Sequence, residues 1–538
     1  MTISIFKDLI HSFTIHNAKT RFVHLFIINC LFFAFFAWLL PIRFETNDDV
    51  EMLLLVSGKS LGIPDAHLVY INYFLGFILK TLYTICNKIE WYSNFLALIN
   101  IISLTIIIYN ICKNEKPFLI KCCFVILFYC LEIRLIISFQ FTTISAICAL
   151  SGLILIAQNK IGQKITGITF FVIASLIRFD ASFLVLIIFL PFYLFDFINK
   201  NITRFLKLIP FVSLAIIIAV FFRFFDTQKY NSTNVWKQYK QYDLLGHNIR
   251  DNPNAYDLID KLPSTVSYDE FYLYMKFLIN AETFTLPIML QLNERIKTVS
   301  LYNKMKHITP TIHAYSHHLF FLALTCLLAI FTAKKNDKSI ILILSSLFFF
   351  LIFIFISLDG QVKVRVFISA ILPLIYIIYN SIFISKGKIL KYLIYLSLVG
   401  FFIDFSISTF FIWERNIQEK IKFSEQKKLI DSYLKDSSNR VLPFYDQLAI
   451  ENIDPFNLSK QMHFHQIINS GWMTNHPQNK KTFPSFKTFA DGLALFISKR
   501  DTAIITKITS RLLANYSISV HPKVVKQTKH YMIVRFFR

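Results

Sequence analysis

Phe22–Leu40 reads FVHLFIINCLFFAFFAWLL, and this stretch decides the class of molecule. It holds no Asp, Glu, Lys or Arg. At about 1.5 Å of rise per residue it is nearly long enough to cross ~30 Å of hydrocarbon as one helix. Phe211–Phe225 and Ile340–Ile356 are almost as free of charge. Over 538 residues the chain is 55% hydrophobic and only 17% charged, with 59 Phe and a mean hydropathy of +0.52. A soluble chain carries ~25% charge and shows apolar stripes instead of apolar blocks. These features exclude a soluble enzyme, a nucleic-acid binder and a disordered protein. Basic residues precede the first run and no small-residue cleavage site follows it, so it reads as a retained span and not as a removed signal peptide.

Working outward, eleven segments read as spans: 22–40, 92–112, 118–137, 139–157, 164–178, 180–198, 206–225, 313–333, 338–357, 363–383 and 388–412. Leu68–Cys86 is a twelfth apolar stretch, and the distribution of Lys and Arg decides its state. If it lies along the outer interface, the short loops on the N-terminal side hold seventeen basic residues and the opposite turns hold three. If it crosses, the bias inverts. The expectation is therefore a cytoplasmic N-terminus, an interfacial helix at Leu68–Cys86, and three outer segments at 41–91, 226–312 and 413–538. The fold class is an all-α polytopic membrane bundle of about eleven transmembrane helices over 1–412, followed by a small extracytoplasmic α/β domain over 413–538. In that tail, Glu425–Leu434 and Thr502–Asn515 read as helices, and Val441–Leu448, Leu493–Ser498 and Val524–Phe537 as strands.

The net charge of +23 then concerns membrane topology and lipid, with no nucleic acid implied. All eight cysteines lie in or beside apolar segments, so the outer regions have no disulfide framework or Cys-based zinc site.

The first outer segment carries Glu45-Thr46-Asn47-Asp48-Asp49-Val50-Glu51. Adjacent carboxylates repel, which raises the pKa of one, and either Asp48 or Asp49 can act as a general base or hold a divalent cation. A solvated acidic turn has the same composition. Arg178, Lys363 and Arg365 fall at outer ends of spans, where cations meet a lipid phosphate or snorkel to headgroups. Glu132 and Arg134 lie near the outer end of the third span, and Arg223 and Asp226 at that of the seventh, where they pair structurally or border a wet vestibule. Trp236 and Tyr242 belong to a Tyr-rich outer loop whose ring faces suit sugars, although interfacial tyrosines look alike. His313 and His317 share a helical face without a completing acid and read as interfacial. The same caution covers His463 and His465. Asp404, inside the last apolar run, reads as a packing hydrogen bond.

This arrangement resembles the GT-C class of integral-membrane glycosyltransferases. The acidic pair in the first outer loop resembles theirs, as does Ile63-Pro64-Asp65-Ala66-His67-Leu68-Val69-Tyr70 leading into an interfacial helix before Trp91-Tyr92-Ser93. Phe139-Gln140-Phe141-Thr142-Thr143, Leu176-Ile177-Arg178, Asp359–Arg365 and Gly471-Trp472-Met473-Thr474 are similar to shorter motifs of bacterial members. Ala66-His67-Leu68-Val69-Tyr70 departs from the Pro-Pro-Tyr variant common in the class.

The resemblance implies a transferase in the bacterial cytoplasmic membrane. It would move a sugar from a polyprenyl-phosphate donor to a glycan, glycolipid or lipopolysaccharide precursor at the outer face, with inversion. Asp48 or Asp49 would be the base, and the other would bind acceptor or a divalent cation. Arg178, Lys363 and Arg365 would hold the donor phosphate, and Glu51, His67, Glu132, Arg134, Trp236 and Tyr242 would line the vestibule. Two alternatives remain, an O-antigen-type polymerase or ligase, and a transporter or flippase. The chain has only 12 Gly and no half-to-half symmetry, which disfavours the latter. Nucleotide-binding, zinc-protease and serine-hydrolase motifs are absent from the sequence.

Overall fold

The computed structural model describes residues 17–198, 202–252, 255, 262–276, 283–297, 305–306, 308–332, 336–358, 360, 362–382, 388–443, 448–457, 464–468, 476–478 and 486–538. Each of the eleven apolar segments contains a helix. These are α1 (Ala18–Leu39), α4 (Trp91–Lys113), α5 (Phe118–Ile137), α6 (Phe141–Ile156), α7 (Ile161–Ile177), α8 (Phe179–Ile198), α9 (Ile202–Tyr230), α13 (Ile308–Ala314) with α14 (Ser316–Thr332), α15 (Asn336–Leu358), α16 (Val364–Ser381) and α17 (Lys388–Tyr433). Among the described residues, six helices are long and apolar enough to cross a membrane, or seven if α13 and α14, bent by 75°, form one span. The shortfall has physical causes. Helices α6 and α7 have only 16 and 17 residues, and α5 carries Lys121, Glu132 and Arg134.

Helix α6 is the axis of the bundle, with every residue buried against α4, α7, α8 and α16. Gly152 and Gly167 bring the α6 and α7 backbones together. A Cβ on Gly152 would stand 2.7 Å from the Gly167 carbonyl oxygen, and one on Gly167 2.6 Å from that of Gly152. Small residues allow such approach where lipid offers no hydrophobic drive for helix association. Polar side chains add direction. Tyr129 donates to Asn29 Oδ1 at 2.7 Å, and Asn29 donates to Thr105 Oγ1 at 2.8 Å. Asp404 pairs with His318, the packing role expected for it, while His313 and His317 are exposed.

In the turn between α4 and α5, Lys116 caps the C-terminus of α16. Its ammonium donates to the carbonyls of Tyr379, Asn380 and Ile382, groups with no partner inside the helix. Lys116→Met should lower stability by about 2 kcal/mol, the scale of hydrogen bonds from a charged group, and unfolding titration in detergent measures it.

Two helices of the first outer segment do not span. Helix α2 (Asn47–Val56) is buried from Asp49 onward. Helix α3 (Tyr73–Ile85) has 13 residues, about 20 Å, too short to cross. It buries Leu75, Leu79 and Tyr83 and exposes Phe77, Ile78 and Ile85, as an interfacial helix requires. Its cap is Asn72, whose Oδ1 accepts from the Phe74 amide at 2.9 Å while Nδ2 donates to the Phe222 carbonyl at 2.8 Å.

Helix α17 runs unbroken for 46 residues, through positions 412 and 413 into the tail. There β3 (Val441–Pro443), β4 (Ala494–Ser498), β5 (His521–Gln527) and β6 (Tyr531–Phe537) form one sheet in the order β3-β4-β6-β5. The β3–β4 pair is parallel and the others are antiparallel. Helix α19 (Ala503–Tyr516) packs Ile504, Ile508 and Leu512 on the sheet, and short α18 (Lys487–Ala490) precedes β4. The 226–312 segment contributes α10 (Asn234–Arg250), α11 (Tyr268–Met275) and α12 (Leu286–Lys297). Leu273 of α11 joins the core of the tail sheet, so the outer loop and the tail share packing.

Candidate functional site

The acid loop is fixed by a two-residue parallel pairing. Arg43–Phe44 (β1) pairs with Ser138–Phe139 (β2), and the Glu45 amide continues the ladder to the Phe139 carbonyl at 3.0 Å. This tethers the start of α2 over the N-terminus of α6, where Gln140 caps the helix through the amides of Thr142 and Thr143. Asp49 is fully buried. Its Oδ1 accepts from the Tyr92 hydroxyl at 2.9 Å and the Phe141 amide at 3.2 Å, and its Oδ2 from the Thr46 hydroxyl at 3.3 Å. Burial pushes its carboxyl well above the usual range, against the pull of the Tyr92 hydrogen bond. Asp48, one residue earlier and so about 100° around the helix, is only half-buried. Its charge bears on Tyr70 and on Asp243 of α10. Two adjacent carboxylates thus occupy different environments.

Cations reach this loop from two sides. Burial raises the Glu45 carboxyl, opposed by the charges of Arg365, Arg134 and Arg43, and the field of Arg365 also reaches Asp49. Arg178, at the end of α7, lies over the rings of Tyr70 (5.4 Å) and Phe141 (5.7 Å) and pairs with Asp180 at 3.4 Å. Lys363 is exposed at the N-cap of α16, and the charge that reaches the acids from that turn is that of Arg365. Arg134 donates to Ser408 at 2.9 Å, while Glu132 accepts from Asn100. These two neighbours have separate partners: Arg134 acts on the acid loop, and Glu132 is held within the bundle. Glu51 is buried, and its charge acts on Tyr70 and Tyr239. Arg223 lies over Phe179, and Asp226 accepts from the Tyr73 amide at 2.8 Å, docking the start of α3.

Trp236 does not present an open face to solvent. His67 stacks on it at 3.6 Å with planes 14° apart, and Tyr230, Tyr239 and His476 meet it edge-on. The His67 amide and Nδ1 both meet Asp65 Oδ1 at 2.8 Å. Burial pushes Asp65 up, but the hydrogen bonds from His67 prevail and hold it below the ordinary value. This cluster ties the first outer segment, the outer loop and the tail together. Burial lowers His476 from 6.5 to about 4, so the folded protein resists a proton that the unfolded chain accepts between those values. The stabilisation is complete above pH 6.5 and is lost as pH falls toward 4, by up to roughly 3 kcal/mol. His476→Phe keeps a ring among aromatics and should flatten that loss, read as melting temperature at pH 7 and 4.5.

Sequence reasoning missed Lys240, Asp243 and the backbone of Val69. Val69 is β-branched yet has φ of 61°, a left-handed conformation that costs ~1–3 kcal/mol. It is held from both sides: its amide donates to the Tyr230 hydroxyl at 2.9 Å, and its carbonyl accepts from Lys240 Nζ at 2.6 Å. Burial raises Asp243, opposed by Lys240, His247 and Arg250. Lys240, Asp243, His247 and Arg250 recur at three- and four-residue spacing on α10, a charged stripe that periodicity alone exposes. Tyr242 lies on the same helix, packed against the loop core and acting on Arg250.

Beside the acid loop, α1 and α4 border a cavity of about 760 Å³. Its walls include Phe33, Trp38 and Leu98, and Lys420 and Asp454 lie at its polar end. Among the described residues no group of three or more His, Cys, Asp or Glu could hold a metal ion. Asp359, Gln361, Gly471–Thr474 and His463 lie outside the described residues, as does the side chain of His465. Fold and site together give a mostly helical protein, several of whose helices are long and apolar enough to cross a membrane, with the acids Glu45, Asp48 and Asp49 at one end of the bundle in the field of nearby arginines and a small sheet in its tail. No protein-family model matches the chain, and no curated protein matches it.

Proposed function

We propose that the chain is a GT-C-type integral-membrane glycosyltransferase that inverts the anomeric centre. It crosses the bacterial cytoplasmic membrane with all eleven apolar segments, its N-terminus inside and its tail outside. The observation that carries this reading is the division of labour between two adjacent acids, with Asp49 locked in the protein and Asp48 half-buried beside Tyr70 and Asp243. Asp48 takes the proton of the acceptor hydroxyl. The acceptor oxygen attacks the anomeric carbon while the bond from that carbon to the donor phosphate oxygen breaks, and polyprenyl phosphate leaves. Asp49 positions α2. Arg365 and Arg178 oppose the charge of the phosphate. The cavity between α1 and α4 suits an isoprenoid chain, since Phe33, Trp38, Leu98 and Ile101 line it with Lys420 and Asp454 as its charged groups. A divalent cation, where one takes part, would draw its ligands from Asp48 and Glu45.

The test is mass spectrometry of envelope glycans from a deletion strain and from the strain complemented with wild type. Loss of one sugar residue mass, restored by the gene, fits transfer. Loss of repeat polymerisation would promote a polymerase or ligase, and an unchanged profile with the protein expressed would return the question to transport.

A further inference from the structure

A second pocket lies away from the acids, where the outer loop meets the tail. It has a volume of about 620 Å³ between α11, the segment leading into α12, and α19. Its base is the buried carboxylate of Glu270, which accepts from Thr283 at 3.0 Å and Asn515 at 3.3 Å and pairs with Arg511 at 3.3 Å. The rim carries the exposed hydroxyl residues Ser264, Thr265 and Thr285. Tyr268 and Tyr272 stack at 6.4 Å on the adjoining turn outside the lining, with Lys507 Nζ over their rings at 5.5 and 5.0 Å.

The chemistry of this pocket selects one ligand class. The Glu270–Arg511 pair is neutral overall, which gives a bare anion no net attraction. Ile288 is the single aliphatic residue of the lining, which gives an acyl chain or apolar peptide nothing to bury against. Hydroxyl, amide, carboxylate and guanidinium groups gathered in one lining match a saccharide, whose hydroxyls both donate and accept. Position fits as well. Helix α11 has eight residues, about 12 Å. Glu270 is near one end, and at the other Tyr274 accepts from Arg250, whose charge, like that of Asp48, acts on Asp243.

We propose that this pocket holds a saccharide unit of the acceptor glycan, one or more sugars removed from the hydroxyl that reacts. The assignment rests on the glycosyl-transfer reading of the acid loop. The test uses the purified full-length protein and oligosaccharides released from the cells' own envelope glycolipids by mild acid, with binding followed by saturation-transfer NMR. Wild type and Asp48→Asn should bind alike. Thr265→Trp and Ser264→Trp, exposed positions where an indole fills the rim, should each weaken binding about tenfold at unchanged melting temperature. Equal binding by wild type and both pocket variants, or no binding by wild type, would overturn the proposal. If Asp48→Asn transfers sugar normally while the pocket variants lose binding, the saccharide site stands and the catalytic reading falls.

Discussion

Asp48→Asn should reduce sugar transfer by about 10²- to 10⁴-fold, the contribution of a positioned general base, with the protein inserted and folded as before. Asp49→Asn should retain far more activity. A carboxamide still offers Oδ1 to the Tyr92 hydroxyl and the Phe141 amide, and burial already favours the uncharged form of the acid it replaces. Asp49→Leu removes the acceptor altogether, leaving a buried hydroxyl and amide without it at a cost of about 1–3 kcal/mol each. Its loss should appear first in yield and melting temperature. Single-turnover assays with purified protein separate the three variants. If Asp49→Asn is the inactive one and Asp48→Asn is active, the two roles are exchanged.

Arg365→Gln is the second large effect. The guanidinium acts on Glu45 and Asp49 together, and in the proposed reaction it opposes the charge of the donor phosphate. Losing a charge-assisted contact of ~1.5–3 kcal/mol should lower kcat/KM by about 10- to 100-fold. Arg365→Lys should recover only part of it, because an ammonium cannot reproduce the paired donors of a guanidinium. The same variant discriminates between reactions. Activity that needs Arg365 but survives Asp48→Asn would favour a polymerase or ligase joining diphosphate-linked glycans.

The helical bundle, the 13-residue helix too short to span and most of the tail were legible because each rests on local pattern. Leu493–Ser498 and Thr502–Asn515 appear as β4 and α19 within a residue at each end. Val524–Phe537 resolves into a hairpin that begins three residues earlier, at His521. The acid loop was legible as chemistry but not as geometry. Nothing in Asp48-Asp49 reveals which acid turns inward, because that depends on Tyr92 and Phe141 arriving from distant segments. The β1–β2 pairing, two residues long on each side, lies below any periodicity. Trp236 has the composition of a sugar platform, yet its face is taken by His67. Glu132 and Arg134 suggested structural pairing with each other or with a neighbouring span; positions two apart project from different sides of a helix, and each found its partner on another segment.

The unbroken α17 also sets a phase. Its residues beyond 413 carry Asn416, which donates to the Ile137 carbonyl at 2.8 Å, and Lys420, at the mouth of the α1–α4 cavity. The helix then leads into the tail, whose turn at Ile450–Asn452 packs against α2 and β1. Because a helix is a screw, one inserted residue beyond Asn416 would swing everything distal by about 100° and lift it by about 1.5 Å. Seven inserted residues would nearly restore the bearing while raising it by about 10 Å. The tail is therefore registered to the helical bundle both in azimuth and in height. Length variation in this stretch is tolerable only in steps close to whole turns, and then only as far as the Arg43–Glu451 and His67–Trp236–His476 contacts can stretch.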